Sequence, residues 1–389
     1  MTRRAFPSLL ILLALCSPAV GIFGCGGSAG HEAITDLDAE PAAGDESFED
    51  VSCPAPALCI AVGNEQQNGK GLAKEWSGEG WKSIGDADAL LKAISCPTST
   101  WCMAVGNNPS GAWSLERDGA RGSSDWEIQP LSLPHAKSWS ELLLNDVSCT
   151  GRTACTAAGN YSDGSYKNYA ARWDGKSWKR ERPPNPKDKD EIAAPTHGML
   201  GVSCPSADFC VTVGAFKWLP LVEHWDGSEW KIVSAPHPEG SPSAYLESVF
   251  CTSPNACMAV GNVTVGKTTG PFAERWDGSR WSVVKTPHGD ANGTGNLRSV
   301  FCSSQSSCIA VGGLSTTGQT GLSLAMTWSG SRWTRRPSPN PKPYTQLAGV
   351  SCPSRGLCMA VGQAGADWGT GTLLAAELTK PWTPPPPAP

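Results

Sequence analysis

The sequence is short of charge, of histidine and tyrosine, and of long apolar runs. Charged residues make up 17% of its 389 positions, too few for a coiled coil or a long-helix protein rich in Ala, Glu, Lys and Leu. There is no basic excess: 31 Lys and Arg face 36 Asp and Glu, a net charge of −5. The electrostatic footprint of a nucleic-acid binder is therefore missing. No stretch keeps a helical period, and past residue 24 none approaches the 18 apolar residues of a membrane span. With 6 His and 5 Tyr, no paired-His motif, phosphate loop or Ser-His-Asp order stands out. A C-x-x-C pair is also absent, which argues against thioredoxin-like redox catalysis.

What the chain has is 43 Gly, 32 Pro, 16 Cys and 17 Trp, the profile of a turn-rich all-β protein. Its start carries an address. Arg3 and Arg4 precede an apolar run over 9–15, and Pro18 with several small residues then breaks it, the order of a secretory signal over 1–24. Ile22, Phe23, Gly24 and Cys25 read as a bacterial lipobox with Cys25 as the lipidated residue, although Phe23 is an imperfect fit. Cleavage after Ala19 or Gly21 with simple secretion stands as the alternative. Residues 25–47 contain Glu32, Asp36, Asp38, Glu40, Asp45 and Glu46 among Gly and Ala, the composition of a solvated tether. Residues 383–389 form a Pro-rich tail.

Between tether and tail, a V-S-C-P-x4-C-x-A-V-G string recurs seven times with a period of about 50. Its cysteines are Cys53/Cys59, Cys96/Cys102, Cys149/Cys155, Cys204/Cys210, Cys251/Cys257, Cys302/Cys308 and Cys352/Cys358, each spaced C-x5-C. A second signature follows: Trp173-Asp174-Gly175-Lys176-Ser177-Trp178, Trp225…Trp230 and Trp276…Trp281, with looser copies at Trp76…Trp81 and Trp328…Trp333. The second unit is read as using Trp113 and Trp126, and the seventh as keeping Trp382 alone. Each unit reads as four short strands: one ending at V-S-C, one at C-x-A-V-G, and two flanking an Asp-Gly hairpin whose residues tolerate positive φ. Four strands, seven units and this period predict an all-β, seven-bladed β-propeller over 48–382, four antiparallel strands per blade. An open solenoid is the alternative.

An even number of Cys at fixed local spacing in an exported chain reads as a disulfide framework. Cysteines facing each other across a hairpin lie within disulfide range. Zinc is the rival, but it favours tighter, clustered pairs. The paired Trp read as packing between blades, with a sugar-stacking platform as the functional alternative. Residues outside the repeat are better ligand candidates than shared ones. Trp218, in Phe216-Lys217-Trp218-Leu219-Pro220, and Trp368 each follow a second strand and are expected on one face of the disk. Packing against a neighbouring blade is the alternative for both.

With its V-G strand ends, W-D-G-x-x-W hairpins and Pro-Ser-Pro-Asn-Pro connections, the repeat resembles the kelch-like propeller units of secreted proteins of high-GC Gram-positive bacteria. The resemblance covers nearly the whole mature chain. It implies the fold and little about activity, and only Gly312-Gly313 shows the kelch Gly doublet. Galactose oxidase, on a kelch-type fold, needs a Cys cross-linked to Tyr, and seven Cys pairs leave none for that. A sialidase needs converging Arg and a Tyr–Glu pair, and none of Tyr161, Tyr166, Tyr169, Tyr245 or Tyr344 sits in a nucleophile's context. The row Asp50, Ala93, Asp146, Gly201, Ser248, Ser299 and Gly349 is expected to line the central opening. Two functions are carried forward. One is a non-catalytic binding or scaffold module without cofactor, a monomer meeting a glycan or an extracellular protein and touching membrane only through a lipid anchor. The other is a carbohydrate-active enzyme of sialidase or lyase type.

Overall fold

The computed structural model describes residues 46–65, 68–108, 111–119, 126–131, 141–162, 166–186, 198–287, 294–315, 321–354, 357–367 and 370–379. The signal segment, Cys25, the tether, Trp139, Trp368, Trp382 and the tail lie outside them. The described residues form 27 strands and no helix. In each of the first six repeats four consecutive strands make an antiparallel sheet, paired first-second-third-fourth, and the seventh contributes three. One parallel bridge, Gly321 to Tyr344, links the sixth sheet to the seventh. The first strands, from Glu46–Ala55 in blade 1 to Tyr344–Ser354 in blade 7, lie side by side around a common axis.

The repeat string follows from how these sheets are built. In every blade the first strand bulges two or three residues before its Val, which is Ile94 in blade 2. The bulge pushes a carbonyl against the second strand, where A-V-G places its glycine. A Cβ on Gly63, Gly159, Gly261 or Gly362 would overlap the oxygen of Ser47, Leu143, Tyr245 or Gln346. One turn later the two cysteines meet across the hairpin.

All seven disulfides form within blades: Cys53–Cys59, Cys96–Cys102, Cys149–Cys155, Cys204–Cys210, Cys251–Cys257, Cys302–Cys308 and Cys352–Cys358, with Cα atoms 4.0–4.1 Å apart. Closing so short a loop contributes about 2 kcal/mol per staple in the chain-entropy account. The pairing is the one the spacing predicts. Cys59, Cys102, Cys155 and Cys210 are only 1–2% exposed, so these four cannot meet a ligand, a metal or a substrate. Each lies on a second strand, covered by the sheets on either side, and takes its place in the apolar core. Spacing alone shows that such a cysteine faces a partner; it does not show how deeply the pair is buried. They are framework and core.

The W-D-G-x-x-W hairpins are Asx turns. Oδ1 of Asp174, Asp226 and Asp277 accepts the backbone N–H groups two and three residues on, at 2.9–3.0 Å. The following glycines carry φ of +92° to +95°, a region that costs other L-residues energy. The flanking tryptophans then pair across the strands with ring centroids 5.7–6.0 Å apart. They pack between blades, as their repetition predicts.

Blade 2 departs from the sequence reading. Its third strand places Arg117, and not Trp113, opposite Cys102 and Trp126. Trp113 sits four positions earlier, opposite Gly106. Trp101, on the second strand, faces the blade 3 side instead, where it is fully buried and donates its indole N–H to Glu116 Oε1 at 2.8 Å. In blade 7 the corresponding position, opposite Cys358, is Leu378.

The serine of V-S-C joins the blades. Oγ of Ser52, Ser95, Ser148 and Ser203 accepts the backbone N–H of Cys96, Cys149, Cys204 and Cys251 in the next blade, at 2.9–3.0 Å. Ser351 does the same for Cys53 at 3.0 Å, closing the ring over 298 residues. Blades 5 and 6 read V-F-C instead. There Phe250 and Phe301 stack at 4.5 Å, and serines two positions earlier take over: Ser248 accepts from Val300 and Ser299 from Val350, at 3.3 and 3.2 Å. Every joint of the ring thus carries a side-chain-to-backbone bond.

Candidate functional site

The row expected to line the opening serves this same ring. Asp50 Oδ2 accepts Ile94 N–H at 2.9 Å and Asp146 Oδ2 accepts Val202 N–H at 2.7 Å. Gly201 and Gly349 are small because a Cβ would stand about 3 Å from the backbone of Ser248 and Asp50. Burial pushes the carboxyl of Asp50 up to about 7. It pushes that of Asp146 up to about 8, with the charge of Asp50 from two blades away adding to it. The pair is a framework feature: each carboxyl is occupied by a strand of the next blade.

Three arginines are likewise committed between blades. Arg117 pairs with Glu75 at 2.8 Å and Arg152 with Asp118. Arg172 stands 4.5 Å over the Trp225 ring and donates to the Ala207 carbonyl. His224 is buried between blades 4 and 5, where it accepts the indole N–H of Trp281 at 3.2 Å, and burial lowers it to about 4. Two acids in third strands are fully buried: Glu223, which accepts from Asn168 at 2.7 Å and is pushed up to about 8, and Glu274, pushed up to about 9. Among the described residues no three His, Cys, Asp or Glu are grouped as metal ligands.

The strand order gives the disk two unlike faces. One holds the disulfide hairpins and Asx turns. The other holds the hairpins between second and third strands and the connections from each fourth strand to the next blade. In those connections Asn185 and Asn340 cap the third strands, accepting Asn168 and Ser323 N–H at 2.7 Å.

Trp218 stands on this second face, at the hairpin tip of blade 4. Phe216 pairs with Leu219, so Lys217 and Trp218 are the two central residues of the turn, with φ of +49° and +67°. A two-residue turn with both φ positive ordinarily takes Asn-Gly. Here two large side chains hold it, at a cost of about 1–2 kcal/mol each. The turn is fixed from below: the Trp218 carbonyl accepts Ala244 N–H at 2.7 Å from the first strand of blade 5, and its ring meets Tyr245 edge-on at 5.7 Å. Trp218 still keeps 49% of its surface exposed. Packing and presentation, the two readings offered for this residue, are both present. The missing Asn or Gly between strands was the one signal of the strain.

Sequence reasoning passed over the neighbours of this turn. Leu219, Tyr166 at the tip of blade 3 and Val265 at the tip of blade 5 are exposed, and each tip carries a lysine: Lys167, Lys217 and Lys267.

No family model matches the chain, and no curated protein matches it. Solved structures do. YCF48 bound to D1 peptide superposes with a TM-score of 0.53 at 15% identity, over 87% of this chain and 93% of that one. YCF48 from Cyanidioschyzon merolae gives 0.53 at 15%, over 86% and 97%. A chain of the COPII outer coat vertex on membranes gives 0.54 at 10%, over 87% and 86%. The likeness is one of fold, and with the sheets described above it makes this chain a β-propeller. The seven disulfides add that the protein belongs to an oxidising compartment.

Proposed function

We propose that this chain is an exported, non-catalytic binding propeller of the kelch-like kind, monomeric, with no cofactor, whose ligand surface is the face around Trp218. Cys25 is its lipid attachment point, and residues 25–47 tether the ring to the outer face of the cell membrane. The observation that carries the reading is the Lys217–Trp218 turn: backbone strain is spent on presenting a half-exposed tryptophan, and strain of this kind clusters at functional sites. The scaffold accounts for the cysteines, the paired tryptophans, the axial row and the arginines at the blade joints, while this turn departs from it. YCF48, with its D1 peptide, supports peptide binding as a use of the fold.

The test is to screen the purified protein on a glycan array and a displayed-peptide library. Binding to the selected ligand is then compared in Trp218→Ala. A tenfold or greater loss with the melting temperature held within 2 °C is expected. A large fall in melting temperature would mark Trp218 as core and overturn the reading. Turnover of any glycoside would replace it with the carbohydrate-active alternative.

A further inference from the structure

Blade 7 is one strand short among the described residues. Its third strand, Thr370–Thr379, pairs with the second strand of the blade and carries no described strand on its outer side. In the other six blades that side is taken by a fourth strand. The packing shows the difference. Cys358 and, across from it, Leu378 are half-buried, whereas the second cysteine of every other blade is 1–5% exposed. An open strand edge is a template for another strand, and folded proteins cover such edges.

The existing fourth strands share a pattern. The first residue packs toward the preceding blade, and the residue three positions on packs toward the following one: Trp81 and Ile84, Trp230 and Val233, Trp281 and Val284. The C-terminal tail is a poor source of such a strand, because Pro384 to Pro387 follow Thr383 and have no N–H for a ladder. The N-terminal side suits it better. The chain enters the first strand of blade 1 at Glu46, which pairs with Glu65 at a second-to-third hairpin. That is the face from which each fourth strand leads to the next first strand. Blade 1 also adjoins blade 7, through Ser351 and Cys53. The approach to Glu46 is therefore where a connection from a fourth strand of blade 7 would arrive. Connections in the ring run from residues 88–89, the shortest, to 182–197, the longest. Measured back from Glu46, the same spans end a strand between residues 29 and 43. Within 25–45 only Ile34 and Leu37 are large and apolar, and they are three positions apart.

We propose that Ile34-Thr35-Asp36-Leu37 docks on this edge as the fourth strand of blade 7, antiparallel to Thr370–Thr379, with Ile34 opposite Leu378 and Leu37 opposite Ala375. Ile34 then covers the half-buried Leu378 and Cys358 on the blade 6 side. Leu37 joins the blade 1 side, where Ala375 and Leu373 already pack with Phe48 and Val51. Main-chain bonds supply the attachment and the two side chains set the register, as in strand addition generally. Residues 38–45, with Pro41, become a connection like 234–242 and 337–343, which also carry prolines. Extended, they cover about 26 Å, against about 14 Å between the first and fourth strands of a sheet. The ring thus gains a second closure, at its rim, beside the Ser351–Cys53 bond near its axis. The chain between Cys25 and the ring shortens to residues 26–33. Nothing in this docking depends on the Trp218 face or on a lipid at Cys25.

The test uses the full exported protein. Amide exchange of the unsubstituted chain is expected to be slowed about tenfold or more over residues 34–37, relative to an unstructured chain. Ile34→Cys combined with Leu378→Cys is expected to form a cross-strand disulfide as the main product, found by mass mapping of the non-reduced protein. Ile34→Asn combined with Leu37→Asn is expected to abolish the protection of 34–37, weaken that of 370–379 and lower the melting temperature by about 2–5 °C. Ala42→Asn combined with Ala43→Asn, in the connection, should do none of these. Exchange of 34–37 at the unstructured rate would overturn the docking, and so would a folded Ile34→Cys, Leu378→Cys protein without the link. Protection of 34–37 that survives Ile34→Asn and Leu37→Asn would do the same, since the register would then be wrong. A link between Leu378→Cys and Trp382→Cys would give the edge to the C-terminal tail instead. A dimer linked through Leu378→Cys alone would give it to a second copy of the chain.

Discussion

The bond that closes the ring can be removed with one atom. Ser351→Ala deletes the oxygen that accepts Cys53 N–H at 3.0 Å. Ser351 is 7% exposed and Cys53 8%, so no water is free to replace it. Leaving a buried N–H without a partner costs about 1–3 kcal/mol. For a domain of this size each kcal/mol lowers the melting temperature by on the order of 1–2 °C, so a fall of about 2–5 °C is expected by calorimetry under non-reducing conditions. Ser203→Ala, which frees Cys251 N–H at an internal joint, should fall by a similar amount because the chemistry is the same. Ser303→Ala, on an exposed serine, is the control and should not move. Amide exchange gives a second readout: Cys53 should lose protection in Ser351→Ala, and Cys251 in Ser203→Ala. A Ser351→Ala protein that melts with the wild type would refute the argument. So would a fall several times that of Ser203→Ala, since the closing joint would then differ in kind from the others.

Relieving the strained turn with Lys217→Asn, a residue that enters the left-handed region readily, should raise stability by about 1 kcal/mol; a fall on chemical denaturation would mean that Lys217 is held by contacts worth more than the strain. Glu274 has an ordinary value of 4.5 and is pushed up to about 9 by burial, so the fold favours its protonated form, and its contribution is complete below pH 4.5 and lost as pH rises through 9, by at most about 1.4 kcal/mol per pH unit. Glu274→Gln removes this titration, so the variant should gain on the wild type as buffers go from pH 5 to pH 9, and a constant gap in melting temperature would show that Glu274 does not titrate in this range. Cys25→Ala should move the protein from the membrane fraction to the medium, and a substituted protein that stays with the membrane, or a wild type already soluble, would favour simple secretion.

The parts legible in the sequence are the local ones. A C-x5-C hairpin needs only strand geometry to bring its sulfurs together, and W-D-G-x-x-W needs only an Asx turn. Their sevenfold recurrence then gives the ring. What the string conceals is the long-range use of its small residues. Serine in V-S-C looks like any polar strand residue until the next blade's Cys N–H is placed 3 Å from it, and the glycine of A-V-G is explained only by a bulge in a neighbouring strand. The depth of Cys59, Cys155 and Cys210 is hidden in the same way, because it is set by the sheets that flank their blades and not by their own hairpins. Trp113 is misassigned when tryptophan content is read as position: the strand register puts Arg117 at the site, where it pairs with Glu75 of blade 1. At the candidate site Trp218 is visible as an interruption of the repeat. The basic and apolar company it keeps is not, because Tyr166 and Val265 lie about 50 residues to either side and become its neighbours only when the blades are fanned.

Each disulfide closes on its own blade, and blades meet only through non-covalent contacts: hydrogen bonds, ion pairs and packed side chains. The molecule is thus seven hardened tiles set in a softer mortar. Heat or traction should part it along the lines between tiles, leaving each hairpin intact, while a reductant would soften the tiles and leave the mortar in place. A protein built this way can yield at a seam and reseat without unravelling a blade, a form of resilience suited to an oxidising compartment.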